Sequence, residues 1–370
     1  MVQGGIAAVI PFLVAQNGFS YAAAGGLVLA SNLASAVIQP LFGVMGDKKA
    51  RPWLMGIGVL AAVFGMAGIG LLSNYWLVLF AALISGVGNA MLHPEGGRLA
   101  YLVNDTRKAE GMSVFSVGGQ IGFCVGPIIT VAAVSAFGLP GLVVYMVIGV
   151  PVAIVLFAHT KRFLSFGTRA SAEKTDAAPQ KDRWGAYMFV LGVGTVRSVV
   201  FYGVTSFVPL FIMSQFGISE GAASSFITVF SGVGAFATFS SGRVARTVST
   251  PHLMIACLTA LPLALLAFTV SPALGLSVAL IMVMGVCINL FNPATITLGQ
   301  SYLPNHLGTA SGLSFGVAVA AGGIASPLLG NLGDTIGLAP ILWVLAVLAT
   351  VGLVLAICVN HIEKQDRRRK

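Results

Sequence analysis

Charged side chains are scarce in this sequence, at 8% of its 370 residues. A soluble protein carries about 25% charged residues, so this chain lacks the polar side chains to cover a water-facing surface. Acidic residues are the fewest, with 11 Asp and Glu against 20 Lys and Arg. Because 57% of the residues are hydrophobic, the composition predicts an all-α protein that crosses a membrane many times.

Features typical of several other classes are also missing. The apolar runs are long and continuous, not alternating segments of about ten residues, which favours helices over a β-barrel. The four cysteines have no paired spacing, which favours free thiols over disulfides or metal ligands. The sequence has no Walker loop, Cys/His metal cluster or paired catalytic carboxylates. We therefore expect neither an enzyme nor an ATP-driven pump, and no cofactor besides a proton gradient.

Lysine and arginine recur at alternate connections between the apolar segments. They occur at 48–51, 98–108, 161–183 and 243–246 and again after 363. The intervening connections QNGFS, LSNYW, FGLPG, SQFGISE, SPALG and TIGLAP contain neither residue. This alternation follows the positive-inside rule and predicts an inner (plasma) membrane protein with a cytoplasmic linker and C-terminus. The net charge of +9 is then a topology signal, and nucleic acid is not an expected partner.

The apolar segments predict twelve membrane-spanning helices in two sets of six. Each segment except the first is about 20 residues or longer, which suffices to cross about 30 Å of hydrocarbon. We expect the first helix to be N-terminally incomplete, and the lack of a basic n-region argues against a signal peptide. The predicted spans are 2–16, 19–46, 52–73, 75–102, 108–137, 139–160, 184–214, 219–246, 251–270, 273–302, 307–334 and 338–360. The predicted domains are a six-helix bundle at 1–160, a cytoplasmic linker at 161–183, a second six-helix bundle at 184–362 and a basic cytoplasmic tail at 363–370.

The two halves repeat at a shift of 199 residues, with matching hydropathy and loop charge. The shift superposes Gly43, Pro52, Met55, Gly86 and His93-Pro94 on Gly242, Pro251, Met254, Gly285 and Asn292-Pro293. Parallel six-helix repeats with an even number of spans resemble the major facilitator superfamily. That resemblance implies a substrate site between the halves, near the middle of the membrane.

The connection after the second span reads GVMGDKKARP. It resembles the superfamily signature G-x-x-x-D-x-x-x-R, with Gly43, Asp47 and Arg51 in register. The glycine permits close helix contact, and the aspartate and arginine can form ion pairs that close the cytoplasmic face. An ordinary basic cytoplasmic loop is the alternative interpretation. The second half has Arg246 where the first has Asp47, so we expect its gate to lack an acid.

The fifth span contains GFCVGP, with Gly122, Gly126 and Pro127. It resembles the core of a motif associated with exporters of the superfamily. Paired glycines one turn apart admit a neighbouring helix, and proline bends a span. Tight packing of small residues is the simpler interpretation, but it explains the glycines and not the proline.

HPEGGR in the fourth span and the Arg197-Ser198 pair in the seventh resemble the fosmidomycin resistance protein group. QGGIAAVIPFL, ASAVIQPLFGVMGD and VFSVGGQIGFCVGP extend the resemblance along most of the chain. The resemblance implies a proton-driven exporter of small drugs, the name-giving substrate being a phosphonate antibiotic. We expect a monomer whose partners are a small-molecule substrate, protons and the lipid bilayer.

Arg197 is the candidate anchor for an anionic substrate. It lies thirteen residues past Trp184, which is about 20 Å along a helix and well inside the hydrocarbon. An arginine there needs a carboxylate, carbonyls, water or an anionic ligand, and its planar fork suits a phosphonate. A structural pair with Glu95 or with a helix C-terminus is the alternative.

Glu95, Arg98 and His93 are charged or titratable residues of the fourth span. Glu95 and Arg98 lie three residues apart on one helical face and can pair. Glu95 could release its proton when the arginine is free and regain it when an anion takes the arginine. Arg98 either binds substrate or extends to the cytoplasmic surface, and His93 either passes on the proton or packs. Pro94 is expected to kink the helix.

Further polar residues in the spans are candidates for the substrate pathway. Each can equally be an interhelical hydrogen-bond partner. They are Tyr202, Asn289, Asn292 and Gln120.

These features predict a secondary transporter that exports a small anionic or drug-like compound in exchange for protons. An importer of an organic or phosphorylated anion would use the same cationic pocket. A membrane sensor or scaffold without transport activity would share the fold and topology. Substrate-driven pH changes in vesicles distinguish the three hypotheses.

Overall fold

The structure is a computed structural model that describes residues 1–19, 21–103, 107–166, 181–218 and 220–369. The central part of the predicted linker, at 167–180, lies outside these ranges. Within them the chain is almost entirely helical and contains no β-strand.

We number the helices in chain order. They are α1 (Val2–Asn17), α2 (Tyr21–Lys48), α3 (Trp53–Leu71), α4 (Tyr75–Val103), α5 (Lys108–Phe137), α6 (Val144–Ala158), α7 (Trp184–Phe216), α8 (Glu220–Thr247), α9 (Thr250–Thr269), α10 (Leu274–Asn289), α11 (Asn292–Tyr302), α12 (Leu307–Ile336) and α13 (Leu338–Arg369). A 3-10 turn, Leu139–Val143, precedes α6. In the described residues, 10 helical stretches are long and apolar enough to cross a membrane, with α10 and α11 counted as one stretch. Helices α1 and α8 hold the places of the other two predicted spans.

The chain divides into two compact units. The first contains residues 1–105, 118–180 and 305–316. Its apolar core is built from α1, α3, α4 and α6 and includes Val9, Met66, Val78 and Tyr145. The Tyr145 hydroxyl donates to the Gly126 carbonyl at 2.7 Å, so the largest core side chain also satisfies its polar atom.

The second unit contains residues 106–117, 181–304 and 317–370. Its core includes Met254, Phe268, Met284, Ile288 and Leu345. Helix α13 packs on α7 and α9, and α10 packs on α8 and α9. No charged side chain belongs to this cluster of described residues.

The predicted repeat is visible in the packing inside each unit. In the first unit α4 packs on α2 and α3, as α10 packs on α8 and α9 in the second. Gly86 lies against the backbone carbonyl of Ser31, and Gly285 lies against that of Phe230. Both members of the second contact follow the first by 199 residues. A side chain at either glycine would collide with the neighbouring backbone, so both halves retain glycine at this position.

The tenth predicted span, 273–302, is interrupted in the structure. Helix α10 ends at Asn289 and α11 begins at Asn292, immediately before Pro293. Its counterpart α4 stays helical across Pro94. Proline has no N–H to donate, so it weakens the helix at this point in both halves. Only in the second half is the regular helix interrupted, at Leu290 and Phe291, although both residues keep right-handed helical backbone angles.

The last helix is longer than the predicted span 338–360. Helix α13 continues through residues of the predicted tail, 363–370, and ends at Arg369. The Tyr302 hydroxyl donates to Glu363 at 2.7 Å, and Arg183 pairs with Asp366. These two acidic residues attach the end of α13 to its own unit.

Candidate functional site

Asp47 caps the first turn of α12. Its carboxylate accepts hydrogen bonds from the backbone N–H of Gly308 at 2.6 Å and of Thr309 at 2.7 Å. The Thr309 hydroxyl also donates to it. The first N–H groups of a helix have no partner within the helix, and the helix dipole favours an anion there. Asp47 therefore holds the end of α2 to the beginning of α12 within the first unit.

Close backbone contact supports this cap. Gly43 lies against the backbone of Gly308 and Thr309, with no space for a Cβ atom. Among the described residues, Asp47 and Arg51 form no ion pair with each other. The acid of the signature sequence therefore binds a helix end within the first unit.

The second unit has a charged contact of opposite polarity. Arg246, at the end of α8, forms an ion pair with Glu110 in the first turn of α5. Arg107 approaches the same carboxylate at 3.9 Å, and Gly242 packs against the Glu110 backbone. The expectation that this contact lacks an acid is wrong, because α5 supplies the acid from another part of the sequence.

Glu95 and Arg98 form a buried ion pair on α4. The Arg98 Nη1 atom lies 3.2 Å from Glu95 Oε1. Arg98 is 9% exposed and Glu95 is 3% exposed. Arg98 therefore does not extend to the surface, because the carboxylate three residues earlier binds its charge inside the unit.

The same carboxylate lies near the Asp47 segment. A Cβ atom at Gly46 would be 3.0 Å from Glu95 Oε2, and the backbone of Arg51 also interacts with this carboxylate. The structure thus brings a predicted proton-coupling residue next to the predicted gating residues. A change of charge on Glu95 would act directly on the connection between α2 and α3.

His93 packs against the first turns of α12. Its ring lies 5.2 Å from the ring of Phe315, tilted by 31°. One turn further along α4, Gly97 leaves room for Ser311 and Phe315. His93 is therefore part of a tight helix contact as well as a candidate proton carrier.

Arg197 lies on α7 and is half-buried. Its guanidinium carbon is 5.8 Å from the centre of the Phe201 ring, a cation–π distance. Tyr202 is close enough to interact electrostatically with it. The Arg197 Nε atom is buried and has no hydrogen-bond partner in the described part of the chain. The next residue, Ser198, donates to the Ala318 carbonyl at 2.6 Å and fixes this stretch of α7 to α12.

The second group of predicted residues is dispersed. Tyr202 lies beside Arg197 and fills the space over Gly322. Asn289 is 2% exposed and donates to the Gly285 carbonyl at 2.9 Å. Asn292 starts α11 and is half-buried, as is Gln120 on α5. Within the second unit, Tyr202 lies directly beside a candidate substrate anchor, Arg197.

The glycine–proline motif of α5 contacts the beginning of α1. Gly122 and Gly126 both lie against the backbone of Met1. Pro127 lies near Gly4, where a Cβ atom would also collide with the α5 backbone. The helix admitted by the glycine pair is therefore α1, within the first unit.

The structure adds residues that the sequence predictions missed. Glu110 and Thr309 complete the two helix-end contacts. Asn89 of α4 donates a hydrogen bond to Ser35 of α2, and Gln39 donates to the same Ser35 from within α2. Polar residues spaced by four could have indicated the last three. No group of three His, Cys, Asp or Glu side chains that could hold a metal occurs among the described residues.

Comparison with known proteins identifies the family. The family profile of the Major Facilitator Superfamily matches residues 1–325. The chain belongs to this superfamily. It is therefore a multi-pass membrane transporter with the major facilitator fold, and not an enzyme.

Individual relatives agree with this assignment. The fosmidomycin resistance protein of Escherichia coli is 27% identical over 363 residues, which cover 95% of this chain and 88% of the relative. The uncharacterized MFS-type transporter YfnC of Bacillus subtilis is 27% identical over 360 residues, with the same coverage of each chain. The crystal structure of the transporter FucP in the outward conformation superposes with a TM-score of 0.73 at 13% identity, covering 97% of this chain and 96% of FucP.

Proposed function

We propose that this transporter exports a small anionic or drug-like compound in exchange for protons, by alternating access. A fosmidomycin-like phosphonate is the first substrate to test, because the E. coli relative of similar length is a fosmidomycin resistance protein. The further proposals are a location in the inner (plasma) membrane, a cytoplasmic linker and C-terminus, and function as a monomer.

The observation that carries the proposal is the state of Arg197. A guanidinium inside an apolar helix keeps its charge and needs an anion or hydrogen-bond acceptors. Arg197 has an aromatic ring on one side and no acidic partner among the described residues. A phosphonate or carboxylate could satisfy it with two parallel N–H···O bonds. Tyr202 adds a hydroxyl beside this position, while Arg98, Asn289, Asn292 and Gln120 remain candidate substrate contacts.

Glu95 is the proposed proton-coupling acid. Protonation of its carboxylate would remove the negative charge that holds Arg98, and loss of the proton would restore the pair. Because Glu95 also borders Gly46 and the backbone of Arg51, its protonation would change the environment of the Asp47 cap. His93, two residues earlier on α4, is the proposed second proton carrier.

Two groups of residues are proposed to control the conformational change. Asp47, Gly43 and Arg51 belong to the connection that holds α12. Gly122, Gly126 and Pro127 form the close contact of α5 with α1. Bistable packing contacts of this kind are what a transporter exchanges when it changes state.

The decisive test measures the lumenal pH of liposomes that contain the purified full chain. External fosmidomycin is added while the lumenal pH is followed with a trapped dye, and protein-free liposomes correct for passive entry. Antiport predicts that the lumen becomes alkaline, since each entering substrate molecule drives protons out.

Other outcomes would contradict antiport. Acidification of the lumen would indicate symport and favour the importer. Substrate entry without a pH change would exclude proton coupling. Absence of both substrate entry and pH change across a panel of phosphonates and small organic anions would favour a sensor or scaffold.

A further inference from the structure

A line of polar side chains lies between α2 and α4 in the first unit. On each helix its members are four residues apart, so they share one helical face. The members are Ser31, Ser35 and Gln39 on α2 and Ser85, Asn89 and His93 on α4. We call these six residues the polar seam.

Hydrogen bonds show that the two faces meet. The Asn89 side-chain amide donates to Ser35 Oγ at 3.2 Å, and the Gln39 amide donates to the same oxygen at 2.7 Å. Asn89 follows Ser35 by 54 residues, and the same separation relates Ser31 to Ser85 and Gln39 to His93. The seam therefore extends over about 12 Å of the helix axis.

Four of the six seam residues are buried, Asn89 and His93 are half-buried, and some of the polar atoms are unsatisfied. Ser31, Gln39 and Ser85 are at most 2% exposed. Ser31 Oγ, Ser85 Oγ and Gln39 Oε1 have no hydrogen-bond partner among the described residues. A buried polar atom left without a hydrogen bond destabilises the fold, and ordered water normally supplies the missing partner.

Neighbouring helices enclose the seam. Gly65 of α3 packs against Ser85, and Gly312 of α12 packs against the backbone of Gln39. Neither glycine contributes a polar side chain, so these neighbours do not supply the missing partners.

The second half provides an internal comparison. At the shift of 199 residues, Ser31 and Ser85 correspond to Phe230 and Met284. Ser35 and Asn89 correspond to Gly234 and Ile288. Phe230, Met284 and Ile288 belong to the apolar core of the second unit. Of the six seam residues, only Gln39 and His93 have polar counterparts, which are Thr238 and Asn292. At the counterpart of Ser35, the Asn289 side-chain amide lies against Gly234. The repeated fold thus forms without polar side chains only at the counterparts of Ser31 and Ser85, where a structural role alone does not account for the two hydroxyls.

We propose that the polar seam holds a file of water molecules that conducts protons toward His93 and the Glu95–Arg98 pair. The proposal deepens the proposed function, because it rests on proton-coupled transport. Each water accepts one proton and releases another, so charge moves without a net change in the file. The charged or titratable groups around the His93 end are His93, Glu95 and Arg98 on α4, Asp47 on α2, Arg51 beyond it and the Met1 amino group, which interacts electrostatically with His93. Residues 307–316 of α12 contain none.

The test replaces seam polarity in the full chain. The triple variant Ser31→Ala, Ser85→Ala, Asn89→Leu is reconstituted in liposomes with fosmidomycin as the probe. We expect substrate-driven proton flux to fall at least about tenfold while substrate counterflow persists, since a broken hydrogen-bonded file stops proton transfer. The matched control is Ser277→Ala, which removes a buried hydroxyl without a partner in the described second unit and should change neither rate. Wild-type proton flux in the triple variant would overturn the proposal.

A second variant keeps the proposal testable if the triple variant does not fold. Ser35→Ala alone removes the shared hydroxyl and should reduce the same flux, and an unchanged flux would count against the seam. Density maps of the wild-type protein at water-resolving resolution should show water within hydrogen-bonding distance of Ser31, Gln39 and Ser85.

The two proposals fail in different ways. If the density maps show no water at the seam, the proposed file of water molecules is overturned, whatever the pH assay shows. A wild-type protein that transports substrate with no pH change contradicts the proposed antiport. If substrate transport is coupled to protons equally well in the wild type and in the triple variant, the result contradicts the proposed role of the seam and leaves the proposed antiport intact.

Discussion

Each unit contains an arginine inside an apolar helix, but the two units treat that charge differently. In the first unit Arg98 is paired with Glu95 at 3.2 Å and is almost fully buried. In the second unit Arg197 rests on Phe201 and its buried Nε lacks a partner in the described residues. An arginine that is already paired with a carboxylate binds an external anion weakly, whereas an arginine without an acidic partner needs such an anion to compensate its charge.

The units also close their helix ends with opposite charges. The first uses an acid, Asp47, on the backbone N–H groups of α12. The second uses a base, Arg246, on the side chain of Glu110. The first contact is enclosed by backbone and the second is partly exposed. Equivalent positions in a repeat can therefore perform the same mechanical task with different chemistry and different strength.

The largest expected effect is at Arg197. Arg197→Ala should weaken anion binding about 100-fold or more, because it removes two charge-assisted hydrogen bonds that each contribute about 1.5–3 kcal/mol. Fosmidomycin counterflow in liposomes measures the change. Arg197→Lys, which keeps the charge and loses the planar fork, should fall between wild type and Arg197→Ala. Wild-type affinity in Arg197→Ala would remove this residue from the binding site.

A smaller effect on coupling is expected at Glu95. Glu95→Gln keeps a hydrogen-bond acceptor for Arg98 but cannot gain or lose a proton. Substrate exchange should persist, while proton-driven accumulation should fall about tenfold or more, toward the equilibrium ratio. Glu110→Gln is the matched control, since it neutralises a helix-end acid in the other unit. Uphill transport in Glu95→Gln would place coupling elsewhere.

The Asp47 cap should contribute measurably to stability. Asp47→Ala leaves the Gly308 and Thr309 N–H groups without their acceptor, which should cost about 1 kcal/mol. Thermal unfolding in detergent measures the change. Asp47→Asn keeps an acceptor without the charge and should lose less. Equal losses in the two variants would show that charge, and not capping, dominates this contact.

The smallest effect is expected at Arg246. Its side chain is 47% exposed in the pair with Glu110, and exposed pairs typically contribute about 0.2–1 kcal/mol. Arg246→Ala should therefore destabilise less than Asp47→Ala in the same unfolding assay. High salt should reduce the difference between wild type and Arg246→Ala, because it screens exposed charges. A larger loss than for Asp47→Ala would reverse the proposed ranking of the two contacts.

Much of the fold could be predicted from local sequence. Long apolar runs can satisfy their backbone in a membrane only as helices or closed barrels, which restricts the architecture. The shift of 199 residues predicted corresponding contacts, and Gly86 and Gly285 make them. The interruption at Leu290 and Phe291 could not be predicted, because proline is present in both halves and only the surrounding packing separates the two outcomes.

The candidate site was predictable only in part. Glu95 and Arg98 are three residues apart, so their pairing follows from helical geometry. The Asp47 cap joins this residue to Gly308, 261 positions later in the chain. No local pattern specifies which helix end an aspartate will bind. The same applies to Glu110, whose partner is Arg246.

By itself, the sequence determined a repeated helical membrane protein and predicted Arg197 at membrane depth, because hydropathy and helical periodicity act over neighbouring residues. The tertiary structure decided which charges are neutralised, which helix ends are capped and which hydroxyls face each other across α2 and α4. Those outcomes depend on how helices distant in sequence pack, and burial makes each pairing or missing partner energetically important.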